Sequence, residues 1–319
     1  MPAVARRRCS RNVVARELSF AVTPTETGER VDKVLARRLK LGRRATAELF
    51  ASGKVRVDGR RVPKGFVVSA GQNVAANANS ISEATPEPDA PLNVRYVDDQ
   101  VVVVDKPAGQ PTAVVHAGDT GTLASALVGR YPEMADVGYS RREPGLVHRL
   151  DTGTSGLLVA ARTQDAFMAL RDGLKRGALE KHYLAIVPAG LLPERGFFAS
   201  WLATNPRDRR RVAVAHTPER LPGAQHRTTH WRVLGSNGPW QLLRLFVSSA
   251  YRHQIRAHLA AMGFPIAGDV LYGGRVDPRL GHRHALHASY IAWAGEGIVG
   301  SFAVSADLPR EMEDLLGPS

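Results

Sequence analysis

The chain has 319 residues, a formal net charge of +13, 44% hydrophobic residues and a single cysteine, Cys9. These values suit a soluble globular protein of two domains rather than a disordered tail; one cysteine excludes an intramolecular disulfide and points to a reducing, cytoplasmic setting. No apolar run approaches the ~18 residues of a membrane span, so no membrane partner is expected, and the Arg-rich opening MPAVARRRCSRNVVAREL lacks the apolar core of a secretory signal.

The positive charge is concentrated. Residues 1–77 hold 17 Lys and Arg against 6 Asp and Glu, which leaves the rest of the chain almost balanced. Such a block is the electrostatic footprint of a nucleic-acid module. Residues 1–17 read as a basic tail and residues 18–77 as a small domain. Val31, Val34, Leu35 and Leu39 recur at helical spacing, and Arg43 and Arg44 begin a second short helix through Phe50. From Lys54 to Val62 apolar and charged residues alternate around an Asp58-Gly59 hairpin signal; Phe66-Val67-Val68 and Gly71-Gln72-Asn73-Val74 supply a further turn and strand. The order RVDKVLARRL, GRRATAELFASGKVRVDGRRV, GQNV resembles the S-four-like RNA-binding domain, an α+β module named for a ribosomal protein. The resemblance implies RNA contacts by Arg43, Arg44, Lys54, Arg56, Arg60 and Arg61.

Residues 78–91 contain three prolines, three acids and no apolar period, and read as a linker. Residues 92–319 then form the second domain. Val94–Val97 and Val101–Val104 are predicted strands around Asp98-Asp99, and Gly145-Leu146-Val147 and Leu157-Leu158-Val159 are further strand signals. Phe167, Leu170 and Leu174 mark a helix over Asp165–Leu174, and Gln254–Met262 is another. Without a regular βαβ repeat, the expected class is α+β with a mixed, largely antiparallel sheet.

One stretch reads as a site. In His148-Arg149-Leu150-Asp151-Thr152-Gly153-Thr154-Ser155-Gly156, an acid sits between a basic pair and a glycine-bounded turn, just before an apolar strand. An Asp at a strand mouth stays ionised at little cost, whereas on a core face it would be costly to bury unpaired. Asp-Thr-Gly-Thr occurs at 151 and again at 119, the spelling of a shared-proton acid protease. The two copies lie only 32 residues apart, too close for two equivalent lobes, and the basic excess suits no secreted acid protease.

DKPAG at 105–109, HRLDTGTSGLLVAART at 148–163, EKHYLAIV at 180–187, HQIRAHLAAMGFPIAGDVLYG at 253–273 and ALHA at 285–288 appear in the order of the RluA-type pseudouridine synthases. The chain resembles that family over about 220 residues, and an S-four-like domain in front is a common arrangement there. The resemblance implies isomerisation of uridine within RNA: the glycosidic bond to N1 breaks, the uracil turns, and C5 bonds to the ribose. It places the essential aspartate at Asp151, as nucleophile or as base, its salt-bridging arginine at Arg256, and the active-site tyrosine at Tyr183. Leu286 and Ile255 are implied apolar neighbours of the base. A stacked uridine must flip out to react, and Arg149, with His148 in the same pair, is the implied flipping residue. No metal or other cofactor is expected, since no Walker or dinucleotide fingerprint is present and His282, His284 and His287 cluster without Cys or acid at ligand spacing. These histidines are expected to contact RNA or pack at the surface. Ribosomal RNA is the expected partner, with transfer RNA second, and the chain is expected to be a monomer. The rival class is a non-catalytic RNA-binding or ribosome-assembly protein, for which the basic first domain would suffice. Two departures stand out: Ala250-Tyr251-Arg252 replaces the usual Gly-Arg-Thr or Gly-Arg-Ser before His-Gln-Ile-Arg, and Thr152-Gly153 replaces Lys/Asn-Asp. The run Arg207–Arg211 reads as a basic loop or hairpin edge.

Overall fold

The computed structural model describes residues 17–39, 43–51, 53–77, 83–116, 118–248 and 250–317. Contacts divide the chain into a smaller unit, residues 1–83 with 115–118, and a larger one, residues 84–114 with 119–319. The basic tail lies outside the described residues except for Glu17, as do residues 78–82.

In the smaller unit, β1 (Glu17–Ala21), β2 (Val55–Val57), β3 (Arg60–Arg61) and β4 (Asn73–Asn77) form a sheet in the order β1-β4-β2-β3, accompanied by α1 (Val31–Arg38) and α2 (Arg43–Ala51). Val31, Val34, Leu35, Leu49, Val55, Val57, Val68 and Val74 close its core. The β2–β3 turn needs positive φ at both central residues, and Asp58 (47°) and Gly59 (77°) supply it. Arg37 and Arg38 converge on Glu26, whose carboxylate is 6% exposed. These two cations are thereby committed within the fold, whereas Lys54, Arg56, Arg60 and Arg61 are exposed on or beside the hairpin. The side chains of Arg43 and Arg44 lie outside the described residues. Phe66-Val67-Val68 forms no strand; Val67 makes a lone bridge to Arg30.

The larger unit is built on one ten-stranded mixed sheet. Its strands are β5 (Val94–Val97), β6 (Val101–Lys106), β7 (Ser155–Ala161), β8 (Leu179–Pro188), β9 (Arg195–Thr204), β10 (Val212–Ala215), β11 (Gln225–Asn237), β12 (Trp240–Phe246), β13 (Leu286–Trp293) and β14 (Phe302–Ser305). The order is β10-β9-β11-β12-β8-β13-β7-β6-β5, with β14 beside β13. Among the described residues only the β13–β7 pairing is parallel, in agreement with the expected α+β class. The continuous apolar runs of β6 and β7 are explained by two cores. Val102, Val104, Leu158 and Ala160 enter one, and Val101, Val103, Leu157, Val159 and Ala161 enter the other. Helix α3 (Leu123–Arg130) packs into the first and α4 (Gln164–Arg176) into the second; α3 went unread in the sequence because its run LASALVGR is short and buried on nearly all sides. The β7–β13 approach requires glycine at 156, where φ is 113° and a Cβ would lie 2.3 Å from the Ala288 carbonyl oxygen.

Gly145-Leu146-Val147 is not a strand, because it reaches β7 only through a bridge between Leu146 and Ala160. Residues 84–91, read as part of a linker, are tied down. The Ala84 amide donates to the Arg141 carbonyl at 2.7 Å and the Glu87 amide to that of Ser125 at 3.1 Å. Among the described residues no helix is long and apolar enough to cross a membrane.

Candidate active site

Asp151 lies on the loop that leads into β7. Three side chains from elsewhere in the chain hold that loop. Thr112 Oγ1 donates to the Leu150 carbonyl at 2.6 Å. The Lys106 ammonium, fully buried at the end of β6, donates to the carbonyls of Pro107 and Gln110 at 2.8 Å and reaches that of Thr152 at 3.4 Å. Burial pulls its pKa down to about 7. His284 Nε2 and Thr154 Oγ1 are 2.7 Å apart, with the imidazole ring so close over residue 153 that a Cβ there would sit 2.9 Å from it. The chain's Gly153 thus accommodates His284. His284 and His287 are both buried, the latter 2.8 Å from Ser155 Oγ. Burial brings both down to about 4; they brace the start of β7, contrary to the expected surface packing, while His282 is exposed.

The second half of the site comes from α5 (Gln254–Ala261) and the loop before it. Arg256, 8% exposed on its side chain, donates from Nη1 to Asp151 Oδ2 at 2.8 Å. Its other edge meets Asp269 in a bidentate pair, Nε to Oδ2 at 2.6 Å and Nη2 to Oδ1 at 2.8 Å. A planar guanidinium shared by two carboxylates has little rotational freedom left. Tyr272 lies beneath it, the ring centroid 5.2 Å from the guanidinium carbon. His253 adopts a left-handed backbone (φ 55°) where α5 begins, which carries its Nε2 to 3.7 Å from Asp151 Oδ2. Its Nδ1 is 3.1 Å from the Tyr272 hydroxyl, which already accepts from the Val212 amide at 2.7 Å.

Burial alone would raise the Asp151 pKa, yet the nearby His253 and Arg256 and the Arg256 hydrogen bond outweigh it and hold the carboxyl below 3.8. His253 is itself held below its usual value by burial, so at neutral pH the lasting positive charge beside Asp151 is that of Arg256. Oδ1 of Asp151 accepts no hydrogen bond among the described residues.

Asp151 opens into a pocket lined by Arg149, Thr154, Tyr183, Val247, Tyr251, His253, Ile255, Arg256 and Leu286, among others. Tyr183 on β8 lies opposite Leu245 and Ala288, while Leu286 lies opposite Ala185 two residues further on, so Tyr183 and Leu286 share a face of the sheet. Tyr183 is 7% exposed, and burial together with the Asp151 charge pushes its hydroxyl above the ordinary tyrosine range. Ile255 is buried at the start of α5. Arg149 is exposed at the rim and forms no hydrogen bond or ion pair among the described residues. His148, by contrast, accepts from the Val159 amide at 3.3 Å, and burial takes its pKa to about 3. The departure at 250–252 also has a place. Tyr251 packs beside Leu202, Val212, Ala257 and Tyr272, and Arg252 donates to the carbonyls of Arg209 and Arg211, both at 2.9 Å, in the β9–β10 loop. Asp119 does not line this pocket.

A family model described as RNA pseudouridylate synthase matches residues 100–261, which include Asp151, Tyr183 and Arg256. The chain belongs to this family. It is 38% identical over 316 residues to an uncharacterized RNA pseudouridine synthase of Chloroflexus aurantiacus, covering 95% of this chain and 93% of that protein. It is 35% identical to ribosomal large subunit pseudouridine synthase D of Xanthomonas campestris, with 93% and 92% covered. The human RNA pseudouridylate synthase domain containing 1 has the same fold, with a TM-score of 0.56 at 23% identity over 68% of this chain and 84% of that one. The synthase is thus an isomerase acting on RNA, and the protease reading of Asp151-Thr152-Gly153-Thr154 falls away. Lys106, His253, Asp269 and Tyr272 were not singled out from the sequence as site residues. All four lie within the quoted motif segments, but nothing local distinguishes a carboxylate that orients Arg256 from one on the surface.

Proposed function

We propose that this synthase isomerises uridine in large-subunit ribosomal RNA, with Asp151 as the acting carboxylate. The observation that carries the assignment is the pairing of one Asp151 oxygen with Arg256 while the other is left without a partner in a pocket lined by Tyr183, Leu286 and Ile255. Either role open to the aspartate, attack on the nucleoside or removal of a ribose proton, needs an ionised carboxylate with a free oxygen. The Arg256 pair keeps the charge, and Asp269 and Tyr272 keep Arg256 in register. Tyr183 stacks on the uracil, and its protonated hydroxyl relays the proton that leaves C5 as N1 gains one. Overall the C1′–N1 bond is exchanged for C1′–C5 and nothing external is consumed. The unpartnered guanidinium of Arg149 takes the place of the flipped nucleotide, and the exposed Lys54, Arg56, Arg60 and Arg61 grip structured RNA alongside.

Ribosomal RNA is the proposed substrate because relatives covered over nine-tenths of their length carry that name. The test incubates unmodified large-subunit ribosomal RNA and, separately, transfer RNA with wild type and with Asp151→Asn, then maps pseudouridine chemically. Modification of ribosomal RNA by the wild type alone is expected. Modification of transfer RNA only would refute the substrate, and modification of neither would favour the non-catalytic RNA-binding reading.

A further inference from the structure

Asp151 also borders a second cavity, whose walls carry five basic side chains, Arg149, Arg171, Lys175, Lys181 and Arg252, against a single acid, Asp151 itself. That acid is already committed to Arg256. Of the five cations only Lys175 has a carboxylate partner, the exposed Asp172. Arg171 and Arg252 donate to backbone carbonyls, which leave their charge uncompensated.

Lys181 is the unusual member. It is 5% exposed, and its Nζ makes no hydrogen bond or ion pair among the described residues. Burial brings its pKa down to about 8, with nothing acting in the other direction. An ammonium held this way gains no protein partner to offset its partial desolvation. A structural lysine has partners, as Lys106 has; an unpartnered one in a cationic cavity is completed by an anion that arrives from outside.

The position of Lys181 indicates which anion. It precedes Tyr183 by two residues on β8, on the same buried face, about 7 Å along the strand. The cavity shares Arg149, Asp151, Tyr251 and His253 with the pocket that holds Tyr183, so it adjoins the place of a base stacked on that ring. We propose that Lys181, with Arg252, binds a phosphate of the RNA strand adjoining the uridine that reaches Asp151. The proposal rests on the reading of the Asp151 pocket as the uridine site.

Equilibrium binding of a short oligouridylate to the full-length protein and to Lys181→Met, from roughly 50 to 200 mM salt, tests it together with the melting temperature of each. Loss of one phosphate contact makes the slope of log affinity against log salt shallower by about 0.7 and weakens binding by about tenfold. The variant is expected to melt at the wild-type temperature or above, because an unpaired buried charge has been removed. Wild-type affinity and slope in Lys181→Met would overturn the proposal, as would a lowered melting temperature with binding unchanged. Should the variant not fold, the acetylation rate of Lys181 in the wild type, read by mass spectrometry, is expected to fall when oligouridylate is added; an equal rate refutes the contact. Both measurements read binding alone, so a wild type that modifies no ribosomal RNA would refute the substrate assignment and leave this result standing.

Discussion

Replacement of Arg256 by methionine separates the two jobs of its guanidinium. The side chain is 8% exposed and holds Asp151 on one edge and Asp269, 1% exposed, on the other. At 2.8 Å and an effective dielectric near 20, the Coulomb attraction to Asp151 is about 6 kcal/mol, much of which offsets the desolvation of both groups. What the variant reveals is the cost of the orphaned carboxylates. Asp269 is left buried with no cation, and breaking a buried pair from one side costs roughly 3–5 kcal/mol. At roughly 2–4 °C per kcal/mol, the larger unit should melt some 6–20 °C lower. Asp151 keeps only a neutral His253 beside it, so its pKa should rise and turnover should collapse, while RNA binding persists because Arg256 is buried. Adding Asp269→Asn to Arg256→Met removes the orphaned charge and should recover much of the stability and none of the activity. Calorimetry, a pseudouridine assay and RNA binding on the three proteins decide it. An Arg256→Met protein that melts with the wild type, or a double variant less stable than the single, would refute the reasoning.

The pH profile follows from the same pair. The Asp151 carboxyl is held below 3.8, so its charge, and the stability the pair contributes, is fully present above the unfolded value and is lost only as pH falls through the lowered one. Turnover should therefore show no carboxylate limb above about pH 4.5; an acid limb near pH 6 that persists in His253→Gln would contradict this. Tyr183→Phe should keep the stack and hence KM while lowering kcat, whereas Tyr183→Leu should also lose base stacking, about 1–3 kcal/mol. Equal kcat in wild type and Tyr183→Phe would remove the hydroxyl from the chemistry. Arg149→Ala should lower kcat/KM on a duplex substrate by about tenfold or more and much less on a single strand, where no unstacking is needed. Equal losses on both would deny Arg149 its part in flipping.

Local sequence carried what local physics controls. The Asp58-Gly59 turn, the apolar runs of β6 and β7 and the face of α4 follow from φ preferences and side-chain period, and all are present. The motif order was sufficient to group Asp151, Tyr183, Arg256, Ile255 and Leu286, which line one pocket. Other signals misled for stated reasons. Residues 84–91 look like a linker by composition, yet pack through backbone hydrogen bonds that composition does not report. His284 and His287 look like an exposed cluster, but the entry into β13 and β13 itself carry them inward to Thr154 and Ser155, 130 and 132 positions away.

By itself, then, the sequence determined the family and the kind of chemistry and singled out Asp151 as the candidate, because an acid at a strand mouth among five ordered motifs is a local pattern. Tertiary structure alone decided the state of that acid. Arg256 lies 105 residues from Asp151 and is oriented by Asp269, Tyr272 and the left-handed turn at His253. Lys106 secures the loop from the opposite side. Electrostatics fall off with distance in space, not along the chain, so the charge on Asp151 and the unpaired cation of Lys181 become legible only once the strands are in register.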